Sequence, residues 1–303
     1  MPNISINLKS FNFYKLKELL SAGAWNSIGQ IGVLLFLAIE IVVANIIFGA
    51  KIAGVYAAIL QLPLLLRTIA GIISGIFAPI IIKNYACNDM KNLVNYSNKA
   101  VKLNGLLIAL PAALLSGMAE SILNVWLGPD FVEYRWLLVL NSVYLILTLS
   151  VLPLNHIFTA VNVLKVPGIV TLILGILNLI LAFLLTSYTD LGLYGIVLAG
   201  AISLSLKNLI FIPLYASYIT NQPYYSYYKS ILQPALGGLS VIILSIVLQG
   251  YIIITEWWSL IFSGIAISFC YLIISYSTLL SKRERETFKN LYKSIIKRYN
   301  LKE

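Results

Sequence analysis

Histidine is all but missing from this chain of 303 residues: His156 is the single one, which excludes histidine-rich metal sites and triad chemistry. Cysteine is nearly as scarce, and Cys87 and Cys270 are too few and too far apart for a disulfide framework or a thiolate metal site. No GxxxxGKS/T motif occurs, so the chain is not expected to hydrolyse ATP itself. No hydrolase or glycosyltransferase constellation is visible, and no sizeable external loop offers room for one. The chain is therefore expected to be no enzyme and to use no cofactor or metal. The opening MPNISINLKSFNFYKLKELL has no continuous apolar core before residue 20, so no secretory signal is read there. Above all, charge is rare: 11% of residues are charged against 60% apolar, and mean hydropathy is +0.91. Such a balance falls outside the range of soluble globular domains.

What is present instead is a series of apolar runs close to the ~20 residues that a bilayer core demands. Eight are read, at 24–49, 53–82, 103–125, 132–154, 166–188, 191–219, 231–254 and 257–280. The expected fold class is all-α: a polytopic integral membrane bundle of eight transmembrane helices. Alternating the loops between two sides gathers Lys83, Lys91, Lys99, Lys102, Lys165, Lys229 and both basic termini on one side. Only Lys51 and Arg135 remain among the cations of the other. The net charge of +10 thus reads as a positive-inside bias rather than a nucleic-acid surface. Both termini are expected in the cytoplasm, with the protein in the cell (plasma or inner) membrane. Trp126, Trp136, Trp257 and Trp258 fall at external ends and Trp25 at an internal end, where amphipathic rings prefer the headgroup level.

Residues 1–22 read as a cytoplasmic lead-in, with Phe13, Leu16, Leu19 and Leu20 suited to the inner membrane surface. The largest internal connection is expected at 83–102. Residues 281–303 read as a basic amphipathic tail whose apolar face carries Phe288, Leu291, Tyr292, Ile295 and Tyr299. Such a face suits an anionic leaflet, and a solvated topological anchor has the same composition.

Three charges lie deep in the apolar runs: Glu40, Arg67 and Lys207. A bare charge at that depth costs ~2.5–3.5 kcal/mol even on lenient insertion scales, so these side chains are expected to face a polar interior and serve transport. At 100° per residue, Asn26, Gln30, Val33, Leu37, Glu40 and Ala44 share one stripe; Tyr56, Leu60, Pro63, Arg67, Gly71, Ser74 and Ala78 share another. Both stripes are smaller or more polar than the other faces, as at helix contacts or cavity walls. Glu40 lies about 13 Å and Arg67 about 21 Å below the external ends of their helices, within reach of two long side chains. Two readings follow: a structural ion pair, or an Arg67 that binds an anionic substrate with Glu40 as counterion or coupling acid. Lys207, on a stripe with Gly200, Ser203 and Phe211, either lines the interior or snorkels to the cytoplasmic interface. Glu120 is expected to reach external water, and His156 to be a polar helix-end residue.

The run GAWNSIGQIGVLLFLAIEIVVANIIFGAKIAGVYAAILQLPLLLRTIAGIISGIFAPIIIKNYA resembles the hairpin that opens the second half of polysaccharide flippases. AESILNVWLGPDF, HIFTAVNVLKVPGIVTLILGILNLIL and LGLYGIVLAGAISLSLKNLIFIPLY resemble later helices of that half, in order. The family is the multidrug/oligosaccharidyl-lipid/polysaccharide exporter superfamily, which includes the O-antigen flippases. The resemblance implies export of a polyprenyl-pyrophosphate-linked oligosaccharide, for O-antigen, lipopolysaccharide or capsule biosynthesis, through a central cationic cavity. Within the resemblance Glu40 takes the family's acidic position, Arg67 falls on a cavity-lining helix and Lys207 sits in a Lys-Asn pair. With Asn26 and Gln30 added from the Glu40 stripe, the expected substrate-binding residues are Arg67, Lys207, Asn26 and Gln30, and Glu40 is the expected coupling or counterion residue under this resemblance. It also implies that residues 23–219 are the second six-helix bundle and 220–280 an additional helix pair. The family's first bundle has no counterpart here. A fragment, a split gene and a degenerate remnant all remain open, as does a second chain or a homodimer partner supplying the opposing wall. The implied partners are the lipid-linked oligosaccharide and membrane lipids, with no nucleic acid. Two other functions are weighed: half of a cation-coupled multidrug exporter, and a non-transport membrane component of glycan assembly. Two of the three deep charges are positive, which suits an anionic cargo better than a cationic drug.

Overall fold

Seven helical stretches in the computed structural model are long and apolar enough to cross a bilayer, and among the described residues no strand occurs. The structure describes residues 12–252, 254–281 and 284–286. The apolar tail face from Phe288 to Tyr299 lies outside the described residues, as does the start of the lead-in.

The first stretch, Phe13–Ala86, is a hairpin that supplies two crossings. Helix α1 (Phe13–Leu37) starts where the Asn12 side chain accepts hydrogen bonds from the amides of Tyr14 (3.0 Å) and Lys15 (3.2 Å). The described part of the lead-in is therefore continuous with the first crossing. The axis runs through Ala38 into α2 (Ile39–Ala86) and breaks at Gly49, whose φ of 81° and ψ of 168° end one arm and start the next. That φ is open to glycine at little cost. The Tyr56 hydroxyl consequently meets the Glu40 carboxylate at 3.0 Å. On one straight helix those positions would stand about 24 Å apart. Among the described residues, the two arms of this hairpin and the six other stretches give eight segments, the number that the apolar runs suggest.

The connection expected at 83–102 is much shorter. Asn88 takes a left-handed φ of 55°, and Asp89 caps α3 (Met90–Gly117) by accepting from the Asn92 amide at 3.1 Å and its side-chain amide at 2.7 Å. Polar residues there extend a helix rather than form a loop, because the left-handed backbone of Asn88 and the capping side chain of Asp89 turn the chain within three positions. After a break at Met118 come α4 (Ala119–Trp126), a 3-10 turn (Pro129–Tyr134) and α5 (Arg135–Thr148).

Helix α5 stops earlier than its apolar run suggests, before a 3-10 turn at Pro153 and the short α6 (Asn155–Ala160). Its last carbonyls would be orphans. Two buried amides satisfy them: Asn208 donates to Thr148 O and Asn104 to Leu149 O, each at 2.8 Å. The chain continues as α7 (Lys165–Ser187), α8 (Leu193–Ser205), a π-turn (Leu206–Phe211) and α9 (Ile212–Ile219). It ends in α10 (Tyr228–Gln249) and α11 (Trp257–Ile274), with a second π-turn at Ser275–Leu279.

Close helix approach is made by glycines. A Cβ on Gly32 of α1 would lie 2.6 Å from the Thr171 carbonyl carbon of α7, and one on Gly168 would lie 2.7 Å from Trp25 O. The register 25/168, 32/171 and 35/175 makes α1 and α7 parallel neighbours. Helices α3 and α10 are also parallel: Gly105 abuts Pro234 and Gly117 abuts Ser245. Parallel pairs of odd-numbered crossings are what alternating membrane topology requires. The Tyr271 hydroxyl of α11 donates to Leu106 O at 2.7 Å, so α11 as well as α10 packs on α3.

Candidate functional site

Arg67 lies on the returning arm of α2, one turn after Pro63. Its guanidinium donates to the Tyr144 hydroxyl of α5 at 2.5 Å, and its Cζ stands 6.0 Å from the centre of the same ring. It lines a cleft of about 340 Å³ together with Phe36, Thr68, Thr148, Lys207 and Asn208. Four helical crossings contribute to that wall.

Lys207 enters the cleft from the π-turn. Pro213 has no N–H to offer Leu209 O, and the Tyr228 hydroxyl takes that place at 2.9 Å. A π-turn of this kind inserts one residue into the helix ladder and recurs at functional sites. The Lys207 ammonium sits 5.7 Å from the Phe36 ring centre, turned inward rather than toward the bilayer surface. Asn26 and Gln30 line a second cleft of about 280 Å³, with Asn155, Thr159, Thr171 and again Lys207. The two clefts share Val33, Leu152 and Lys207. Four of the five residues that the sequence singles out therefore line one strip of two adjoining clefts.

Glu40 stands apart from that strip. It is 2% exposed; one carboxylate oxygen accepts from Tyr56, and the other, Oε1, has no hydrogen-bond partner. Gly200 of α8 makes room for it, since a Cβ there would be 2.7 Å from Oε1 and 3.9 Å from Asn178 Oδ1. The ion pair with Arg67 does not form. Among the described residues, ion pairs within 4.0 Å join Lys102 to Glu284 at 2.7 Å and Arg135 to Glu120 at 3.2 Å. These two charges are instead each held by a tyrosine, Tyr56 for Glu40 and Tyr144 for Arg67. His156 hydrogen-bonds through Nε2 to the Ser74 carbonyl at 3.0 Å and faces its hydroxyl at 3.2 Å, tying α6 to α2.

Several residues of this region carry no local signal in the sequence. Tyr144 is one tyrosine among nineteen, seventy-seven positions from Arg67. Asn178 gains meaning only once α7 is placed beside Glu40. Tyr56 and Gly200 carry a partial signal, because they share the Arg67 and Lys207 stripes.

Fold and clefts together define a multi-pass, all-α membrane protein whose two deep cations, Arg67 and Lys207, share one cleft. A relative from Bacillus subtilis (strain 168), the uncharacterized membrane protein EpsK, is 48% identical over 286 residues. The match covers 94% of this chain and 57% of the relative, so the chain spans little more than half of that protein's length. No family model matches the sequence, and no solved structure matches it.

Proposed function

We propose that this chain is one part of a flippase that carries a polyprenyl-pyrophosphate-linked oligosaccharide from the cytoplasmic to the external leaflet, for surface polysaccharide biosynthesis. The observation that carries this reading is the meeting of Arg67 and Lys207 in one cleft, with the Asn26 and Gln30 cleft directly adjoining. Two cations from different crossings suit a pyrophosphate, and the neighbouring amides and hydroxyls suit a sugar. Arginine offers the phosphate a two-pronged contact, lysine a mobile point charge.

In this proposal Glu40 is the coupling residue. Its carboxylate is buried, held on one side by Tyr56 and free on the other, so a change in its charge state alters the packing of α2 against α8. The opposing cavity wall comes from a second chain or a second copy. Moving the lipid breaks no covalent bond, so the chain works as a transporter and not as an enzyme. The test is complementation of a surface-polysaccharide defect in cells lacking the gene. Arg67→Ala at normal membrane levels is expected to abolish complementation and Arg67→Lys to restore part of it. Wild-type function in Arg67→Ala would remove the arginine from substrate binding.

A further inference from the structure

A third cavity opens where α1 and α7 begin, at one end of the glycine seam that joins them. It measures about 470 Å³ and is lined by Tyr14, Lys17, Ser21 and Trp25 of α1 and by Leu164 and Lys165 at the start of α7. The seam explains the shape. Gly29, Gly32, Gly168 and Gly175 hold the two backbones together, the last close approach toward the helix starts being Gly168 against the Trp25 carbonyl, and the cavity opens around residues 14–21 beyond it. The left-handed Asn162, at φ 57°, sets the turn that delivers Lys165 beside that ring. The Lys165 ammonium stands 5.4 Å from the Trp25 ring centre. An exposed lysine on each helix, flanked by two amphipathic rings, is the chemistry that recognises a lipid phosphate at headgroup depth.

This mouth is also joined to the site already described. It shares Trp25 and Leu164 with the Asn26 and Gln30 cleft, which in turn shares Val33, Leu152 and Lys207 with the Arg67 cleft. Cations therefore recur along one continuous path, Lys17 and Lys165 at the surface, Lys207 next, Arg67 deepest.

We propose that the α1–α7 mouth is a loading site that takes the pyrophosphate of the transported lipid from the leaflet at which these helices begin, and passes it to Lys207 and Arg67. The inference rests on the flippase reading above. The exposed lysines catch the headgroup while its chain is still among the lipids. Each later cation is reached through a shared cleft wall, so the phosphate never crosses a purely apolar gap.

The full chain in phosphatidylcholine nanodiscs, with a photoreactive residue replacing Ser21, tests this by cross-linking to added polyprenyl pyrophosphate. Lys17→Gln with Lys165→Gln is expected to weaken cross-linking on the order of tenfold, as the loss of two surface lysines near a headgroup should. Both positions are exposed, and an unchanged thermal unfolding midpoint confirms that the fold is kept. Arg67→Ala should leave cross-linking at position 21 intact. Equal cross-linking in the double lysine variant overturns the loading site and leaves the flippase reading standing. Equal competition by phosphatidylglycerol also overturns it, by making the mouth a general anionic-lipid site. Competition by inorganic pyrophosphate alone at similar concentrations overturns the lipid source. No cross-linking in the parent protein, together with wild-type complementation by Arg67→Ala, removes both readings.

Discussion

At the scale of single residues, Glu40 and Arg67 are each anchored by a tyrosine: Tyr56 on the far arm of the same helix for the acid, Tyr144 of α5 for the base. Tyr144→Phe removes the hydroxyl that receives the Arg67 guanidinium and keeps the ring beside it. A hydrogen bond to a charged group contributes about 1.5–3 kcal/mol, so a misplaced Arg67 should lower export at least tenfold. The check is polysaccharide output against membrane abundance, with abundance unchanged. Of this arrangement, the sequence shows the charges but not their partners. Depth and stripe suffice to mark Glu40, Arg67 and Lys207, because a charge among apolar residues needs a polar environment. Proximity in depth also suggests an ion pair between the first two, and that pair does not form. Helix rotation and the placing of α5 decide whether two nearby charges touch, and both depend on contacts scattered along the chain.

At the scale of elements, apolar length and the charge pattern identify the crossings, while their ends depend on capping. The 83–102 stretch looks like a loop from its composition, yet Asn88 and Asp89 convert it to a short turn between helices. Helix α5 ends early because Asn104 and Asn208, far away in sequence, take its last carbonyls. The α1–α7 seam gives a direct test. In Gly32→Ala the new methyl meets backbone atoms of Thr171 and Leu172 at 2.6–2.7 Å, which no side-chain rotation relieves. Overpacking of that kind costs about 1–3 kcal/mol and should lower the unfolding temperature in detergent by several degrees. Gly71→Ala, open around its Cβ, should leave it unchanged.

The start of the tail offers a pH test. Burial pushes the Glu284 carboxyl up, but its bonds to Lys102 and to Ser281 outweigh that and hold it below the usual value of 4.5. A depressed carboxyl stabilises the folded contact above its free value, and that contribution disappears as pH falls through the bound value. A spin label at Glu286→Cys, with Cys87 and Cys270 replaced by serine, should therefore stay immobile from neutral pH down to about pH 5. Its spectrum should sharpen under more acidic conditions. Glu284→Gln should give the sharper spectrum throughout.

At the scale of the whole molecule, the chain is a bundle of helices in which Arg67, Lys207, Asn26 and Gln30 line connected clefts. Parallel packing of α1 with α7 and of α3 with α10 fits an alternating path through the bilayer. Those clefts lie at the bundle's own surface rather than in a closed chamber, and the chain accounts for 57% of the length of its Bacillus subtilis relative. An opposing wall from another chain or copy would turn the Arg67–Lys207 strip into a cavity. The most direct measurement is the sidedness of lipid-linked oligosaccharide in membranes of cells lacking the gene, read by access of a glycan-binding probe to sealed vesicles of known orientation. The expected result is glycan trapped on the cytoplasmic face, released to the external face by the parent protein and not by Arg67→Ala with Lys207→Ala. Glycan distributed equally with and without the gene, or moved as well by the double variant as by the parent, would contradict the central claim.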